Sequence, residues 1–289
     1  MFVTGSGKAS GPRLSAGVAP LASVYYPGAL ASLPVGAGRF MNEAVISVLV
    51  AGALIAASLG SAVLYRKLPE KHRQSETEEI VRLIANIFVV LASLVLGLMI
   101  NSARSTFDGV DKAVHAYATE LILLDRTMRH YGTDTDGARR YLQVYTRQAA
   151  ARMAQSDPVL GSRPAEALLN DVGNALRDLA PADADHAALK ARLEQRFETV
   201  YAMRWALVEQ SEGSIPLPLI VLTAAWLVVV FASYGYRAPG NPVMTTSFVA
   251  SALLIAGTVY LTLDMDVPFD GTIQVSPMPL QRALAEMMK

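Results

Sequence analysis

Apolar residues in this chain gather into four long runs separated by turn-rich or amphipathic stretches. Between Leu83 and Ile100 only Asn86 and Ser93 interrupt the apolar pattern. At about 1.5 Å per residue this run is long enough to cross a hydrocarbon core roughly 30 Å thick. An earlier run, Ala44 to Tyr65, holds no charge and is rich in Ala, Gly and Ser. Within it Gly52, Ala56 and Gly60, with Ala53 and Ala57, predict a face that a neighbouring helix approaches closely. Two more runs, Ile215 to about Tyr234 and Val243 to Leu263, are joined by Gly235 to Pro242, which has room only for a hairpin. The pattern predicts an all-α integral membrane protein with four transmembrane helices.

Beyond Asn101 the periodicity continues without the hydropathy. Phe107, Val110, Val114, Tyr117, Leu121, Leu124, Met128 and Tyr131 recur at intervals of three and four, so the second spanning helix is predicted to leave the membrane as a long amphipathic seam. Helical stripes follow at Ala138–Ala149, at Leu168–Leu179 between Pro164 and Pro181, and at Leu189–Leu207. They predict a helical extramembrane domain over residues 105–212, between spans two and three. The flanking segments are 43–104 and 213–263 for the two span pairs, and 264–289 for an acidic turn and a short helix. Residues 1–42 read as a disordered leader or a mis-assigned start, because Pro20, Pro27 and Pro34 break every apolar run and Met41 offers a second initiation point. Pro69 ends the first spanning helix, and Ser75 with Glu78 predicts a capping box for the second.

More than half of the residues are apolar, and mean hydropathy is +0.32, as expected of a membrane protein. Lys and Arg balance Asp and Glu, leaving no nucleic-acid footprint. The absence of cysteine excludes disulfides, thiolate metal sites and thiol catalysis. His72, His115, His130 and His186 lack metal-ligand spacing, and no nucleophile elbow or zincin motif is present. Neither an enzyme nor a cofactor is expected. Four spans put both termini and the helical domain on one side. Charge nearly ties the orientation: Arg66, Lys67, Lys71 and Arg73 follow the first span, and Arg39, Arg104, Lys112 and Arg204 stand on the other side.

On a helical wheel Arg82, Asn86, Ser93, Gly97, Asn101 and Arg104 share one face roughly 100° wide. Lipid cannot satisfy amides or hydroxyls, so this face must meet protein or water. Helix packing through small residues is one reading. The other is a conduction path lined by Asn86, Val90, Ser93, Gly97 and Asn101, with Arg82 and Arg104 at its mouths. A pairing of Arg104 with Asp108, one turn on, would neutralise one of those charges. Near the C-terminus Asp264, Asp266 and Asp270 lie beside Gly271, where they either offer oxygens to a hard cation or cap turns. The calcium-loop consensus is missing, so no metal site is assigned.

Several stretches together resemble the bestrophin-like family of membrane proteins and, more distantly, the bestrophin anion channels. They are Leu68-Pro69 through His72-Arg73, Glu76-Thr77, Val81-Arg82, Leu94-Val95-Leu96-Gly97-Leu98, Leu263-Asp264, Pro268-Phe269, Gly271 and Val275-Ser276-Pro277. The likeness covers about residues 43–285. It implies a homopentamer in the cell membrane with cytosolic termini and helical domain, passing inorganic ions along a path lined by the second span. It also implies a hydrophobic neck at Leu94 and Leu98, where bestrophins carry aromatic rings. The resemblance to the bestrophin calcium clasp ends at Gly271-Thr272-Ile273-Gln274, which replaces its acidic run. The function expected is therefore an oligomeric ion channel passing anions in preference to cations. The alternative is a non-conducting membrane scaffold that binds a partner through the seam from Phe107 to Tyr131.

Overall fold

The computed structural model describes residues 35–67, 75–154, 163–210, 215–236, 238, 241–269 and 271–289. Every regular element among them is helical: α1 (Val35–Lys67), α2 (Ser75–Tyr131), α3 (Asp136–Met153), α4 (Arg163–Arg177), α5 (Ala184–Glu209), α6 (Leu217–Gly235), α7 (Pro242–Asp266) and α8 (Met278–Met287), with one 3₁₀ turn at Thr133–Thr135. The sequence expectation of four spans holds. α1, α2, α6 and α7 are each long and apolar enough to cross a membrane.

In the membrane layer α1 packs on α6 and α7, and α2 packs on the same two helices. Leu54, Ala92, Leu227, Phe231 and Ala252 form the centre of this bundle. The other faces of α1 carry Val45, Val48, Leu49, Val63 and Leu64 outward, as helices bathed in lipid should. Tyr65, Tyr234 and Tyr236 gather at one end, where the Tyr65 and Tyr236 rings meet edge to face at 4.7 Å, consistent with an interfacial aromatic belt.

The close approach between spans is not where the small-residue pattern of α1 predicts it. A Cβ on Gly52 or Gly60 would meet nothing within 4 Å, and Ala53 and Ala56 are exposed. α1 instead turns Ser47, Val50, Ala51, Leu54 and Ser58 inward. Its tight contact is with α6, where a side chain on Gly235 would collide with the Ser58 carbonyl and the Ser61 hydroxyl. The small residues that matter are therefore Ser58 and Gly235, one on each helix.

α2 is a single 57-residue helix, about 85 Å long, that continues far past the membrane. Its seam, Val110, Val114, Tyr117, Leu121, Leu124, Met128 and Tyr131, is buried against α3, α5 and α8. The seam thus forms the core of the chain's own helical domain, which removes it as a docking surface for the scaffold reading. α8 joins that core through Leu280, Ala283 and Met287, so the C-terminal helix belongs to the same assembly of helices. The connection 68–74, the Ser75 and Glu78 side chains of the expected capping box, and nearly all of the expected leader lie outside the described residues.

Candidate permeation path and buried polar sites

Within the membrane α2 buries only a narrow row of residues: Ala85, Ala92, Met99 and Ala103. Small side chains at this spacing let the helix lie close to α6 and α7. Val95 and Leu96 pack partly against the same bundle, and the rest of the span points away from it. At about 100° per residue, the polar stripe Asn86, Ser93, Gly97 and Arg104 is centred roughly 120° from the buried row. Val90, Leu94, Leu98 and Asn101 occupy the arc diametrically opposite that row. All of the predicted positions, Arg82, Asn86, Val90, Ser93, Leu94, Gly97, Leu98, Asn101 and Arg104, are exposed. Val90, Leu94 and Leu98 each show 60% or more of their surface.

The polar groups of this face are only partly engaged. Ser93 donates to the Val89 carbonyl of its own helix at 2.7 Å, which leaves the hydroxyl oxygen outward. Asn86 accepts from the Tyr234 hydroxyl at 2.8 Å and is drawn toward α6, the flank of the stripe. Nothing lies within 4 Å of a Cβ at Gly97, so no neighbour inside the subunit requires a glycine there. Arg104 faces Asp108 across one turn at 3.8 Å, with both side chains more than half exposed. Such a pair is worth only a few tenths of a kcal/mol, but it does place an acid beside the cation.

Of the two roles that the C-terminal acidic positions leave open, Asp264 takes the capping one. α7 continues to Asp266, so Asp264 and Asp266 stand in its last turn. The two Asp264 oxygens accept the backbone N–H groups of Thr272 at 2.7 Å and Ile273 at 2.8 Å. Gly271, at φ 99°, brings the loop over this carboxylate so closely that a Cβ there would strike it. Asp266 accepts the N–H of Ile215, tying the start of α6 to the end of α7. The amides aim their positive ends at the place a cation would occupy. Asp270 lies outside the described residues, and among those described no group of three acids or histidines is arranged to hold a metal ion.

Two buried charges go beyond what the sequence pattern predicts. Asp125 accepts from Arg129 at 2.9 Å and from Arg139 at 3.0 Å, joining α2 to α3. Arg129 also donates to the Met287 carbonyl at 2.6 Å, and Gln143 to the same oxygen at 3.1 Å, which caps α8. The Asp-Arg spacing of four was the available signal. The second is Arg204, which is fully buried, with none of its guanidinium nitrogens hydrogen-bonded among the described residues. It is therefore not a headgroup-facing charge and drops out of the orientation count. Its signal was the α5 core stripe Leu193, Val200, Arg204 and Leu207, in which it replaces a hydrophobe. Beside it the hydroxyls of Tyr117 and Tyr145, both buried, meet at 2.6 Å. Burial pushes the Tyr145 hydroxyl above its usual range, while its hydrogen bond with Tyr117 and the adjacent Arg204 guanidinium pull against that shift.

The profile of the Bestrophin-like domain matches residues 52–280. The chain belongs to the bestrophin-like family. Its fold agrees with solved structures of low identity. A crystal structure of a membrane protein aligns at 13% identity and a TM-score of 0.56, covering 87% of this chain and 97% of that one. Two variants of a bacterial bestrophin homologue from Klebsiella pneumoniae align at 14% identity. One has a TM-score of 0.53, covering 87% of this chain and 98% of that one. The other has a TM-score of 0.52, covering 87% and 97%. No curated protein sequence matches the chain. This bestrophin-like chain is thus a multi-pass membrane protein with a helical domain built on its second span.

Proposed function

We propose that this bestrophin-like protein is an oligomeric ion channel whose α2 helices surround the path. The observation that carries this reading is that α2 directs Ser93, Gly97, Asn101 and Arg104 away from its own bundle, at the depth of the membrane or its edge. Hydrocarbon would leave the amide and the charge unsatisfied, so other copies of α2 and a column of water are the fitting neighbours. The arc opposite the packed row, Val90, Leu94, Leu98 and Asn101, then faces the axis. Ser93 and Gly97 flank it, and Asn86 flanks it held by Tyr234 of the same subunit.

Leu94 and Leu98 form the neck, an aliphatic ring that gates by dewetting and lacks aromatic edges. A pentamer in the cell membrane, with termini and helical domain in the cytosol, is the assembly that family likeness supports. Anions pass in preference to cations because Arg82 sets the charge at one mouth. The Asp108 partner weakens the contribution of Arg104 at the other. The burial of the Phe107–Tyr131 seam counts against the scaffold alternative.

Halide flux into liposomes holding only the purified protein tests the proposal, with Ser93→Trp beside it. Flux by the wild type that the variant blocks, with the variant still oligomeric and folded, is the expected result. No flux under either a chloride or a potassium gradient, from protein shown to be inserted, would overturn it.

A further inference from the structure

Among the described residues of the helical domain, Tyr141, Val144 and Trp205 are the large hydrophobic side chains left exposed, and Trp205 shows 45% of its surface. Tryptophan is enriched where proteins meet. Trp205 and Val144 each stand in a row. On α5, Glu198, Ala202, Trp205 and Glu209 recur at i, i+4, i+7 and i+11, and all four are exposed. On α3, Arg140, Val144, Arg147 and Ala151 repeat that spacing and are also exposed, with no acid on the helix after Asp136. One row sets acids around an aromatic side chain. The other sets bases around small and branched ones.

The two rows lie on opposite flanks of α2. Glu120 holds Arg196 of α5 at 3.1 Å, and Asp125 holds Arg139 of α3 at 3.0 Å. These acids stand about 140° apart on the α2 wheel, one on each side of the buried seam. The rows also match in height. Tyr145 meets Tyr117, so Ala151, six residues nearer the membrane on α3, is level with about Asp111 on α2. Arg196 meets Glu120, so Trp205, nine residues nearer the membrane on α5, reaches that same level. By the same count Glu198 is level with Val144, between Arg140 and Arg147.

We propose that copies of this chain pair head to tail through these rows: α5 of one subunit packs along α3 of the next, Trp205 seats over Ala151, and Glu198 lies between Arg140 and Arg147. A rotation about an axis parallel to α2 preserves height, so it carries one row onto the other. Because the two rows differ, the contact is heterologous, and its repetition closes into a ring. This rests on the oligomeric reading above and gives it a surface outside the membrane.

The chain contains no cysteine, so introduced thiols report this contact directly. Ala151→Cys and Ala202→Cys, combined in the full chain in detergent and treated with a short bismaleimide, should give a ladder of covalent oligomers on a denaturing gel. Either substitution alone should leave monomers, because each row meets the other and not itself. Adding Glu198→Arg should slow crosslinking about tenfold by setting like charges together, and Arg140→Glu with Arg147→Glu should restore it. Native mass under the same conditions separates the two claims. An oligomer in which the double-cysteine variant does not crosslink overturns this contact and leaves the channel reading standing. Covalent dimers from either single variant overturn it too, since a row that meets itself makes a two-fold contact. A monomer by native mass refutes the oligomeric reading and this contact with it. A ladder from protein that passes no halide supports the contact and refutes conduction alone.

Discussion

Replacing Asp264 by Ala should loosen the end of α7 and detach the loop that follows it. The carboxylate is fully buried and accepts two backbone amides, at 2.7 and 2.8 Å. Hydrogen bonds to an ionised acceptor contribute about 1.5–3 kcal/mol each, and removing the acceptor strands both N–H groups. The expected loss is about 3–5 kcal/mol, or a melting temperature lower by about 10 °C for a chain of this size. Asp264→Asn should lose nearly as much, because its NH2 group must face one of the two amides. The assay is thermal unfolding in detergent, with limited proteolysis reporting release of the tail beyond Val267. The reasoning fails if Asp264→Ala melts within about 2 °C of the wild type. It also fails if millimolar calcium stabilises the wild type and this response disappears in Asp264→Ala, because that pattern belongs to a cation ligand.

Gly235→Leu should force α6 from α1 and lower stability, whereas Gly60→Ala, with nothing nearby to meet, should be neutral by the same melting assay. Asp125→Ala leaves Arg129 and Arg139 without their shared acceptor, at a loss of about 3–5 kcal/mol, and should expose α8 to protease. Alkaline pH should destabilise the helical domain. The Tyr145 pKa is raised by folding, so its contribution is intact below the unfolded value of 10.0 and is lost as pH rises through the folded one. Tyr145→Phe should reduce but not remove the fall in melting temperature above that point, because the buried Tyr117 hydroxyl is raised further still. On the proposed path, Leu94→Ala should widen the ring at that level and raise single-channel current without changing oligomer size.

The spans were legible because a lipid-crossing helix needs only length and hydropathy, both of which sequence shows directly. The seam from Phe107 to Tyr131 was equally readable as a buried stripe, although periodicity alone does not say whose helices cover it. α3, α5 and α8 do, and the partner-binding reading loses its surface. Gly52, Ala56 and Gly60 misled because small residues mark a face that permits close packing, not one that receives it. Gly235 mattered through a carbonyl on another helix, a relation absent from any local pattern. Asp264 stayed open between capping a turn and holding a cation for a similar reason: a carboxylate that binds amides and one that binds cations have the same letters. The α2 stripe was found by wheel geometry, and what the fold added was its direction, outward from the subunit.

Because α2 runs unbroken from Ser75 to Tyr131, it acts mechanically as a rod shared by two compartments. About 40 Å of it lies between Arg104 and Tyr131. A tilt of about 5° pivoting near Arg104 would carry Tyr131 sideways by roughly 3.5 Å along that lever. The α3, α5 and α8 helices that grip its far end are therefore coupled mechanically, along one rigid element, to Val90, Leu94 and Leu98.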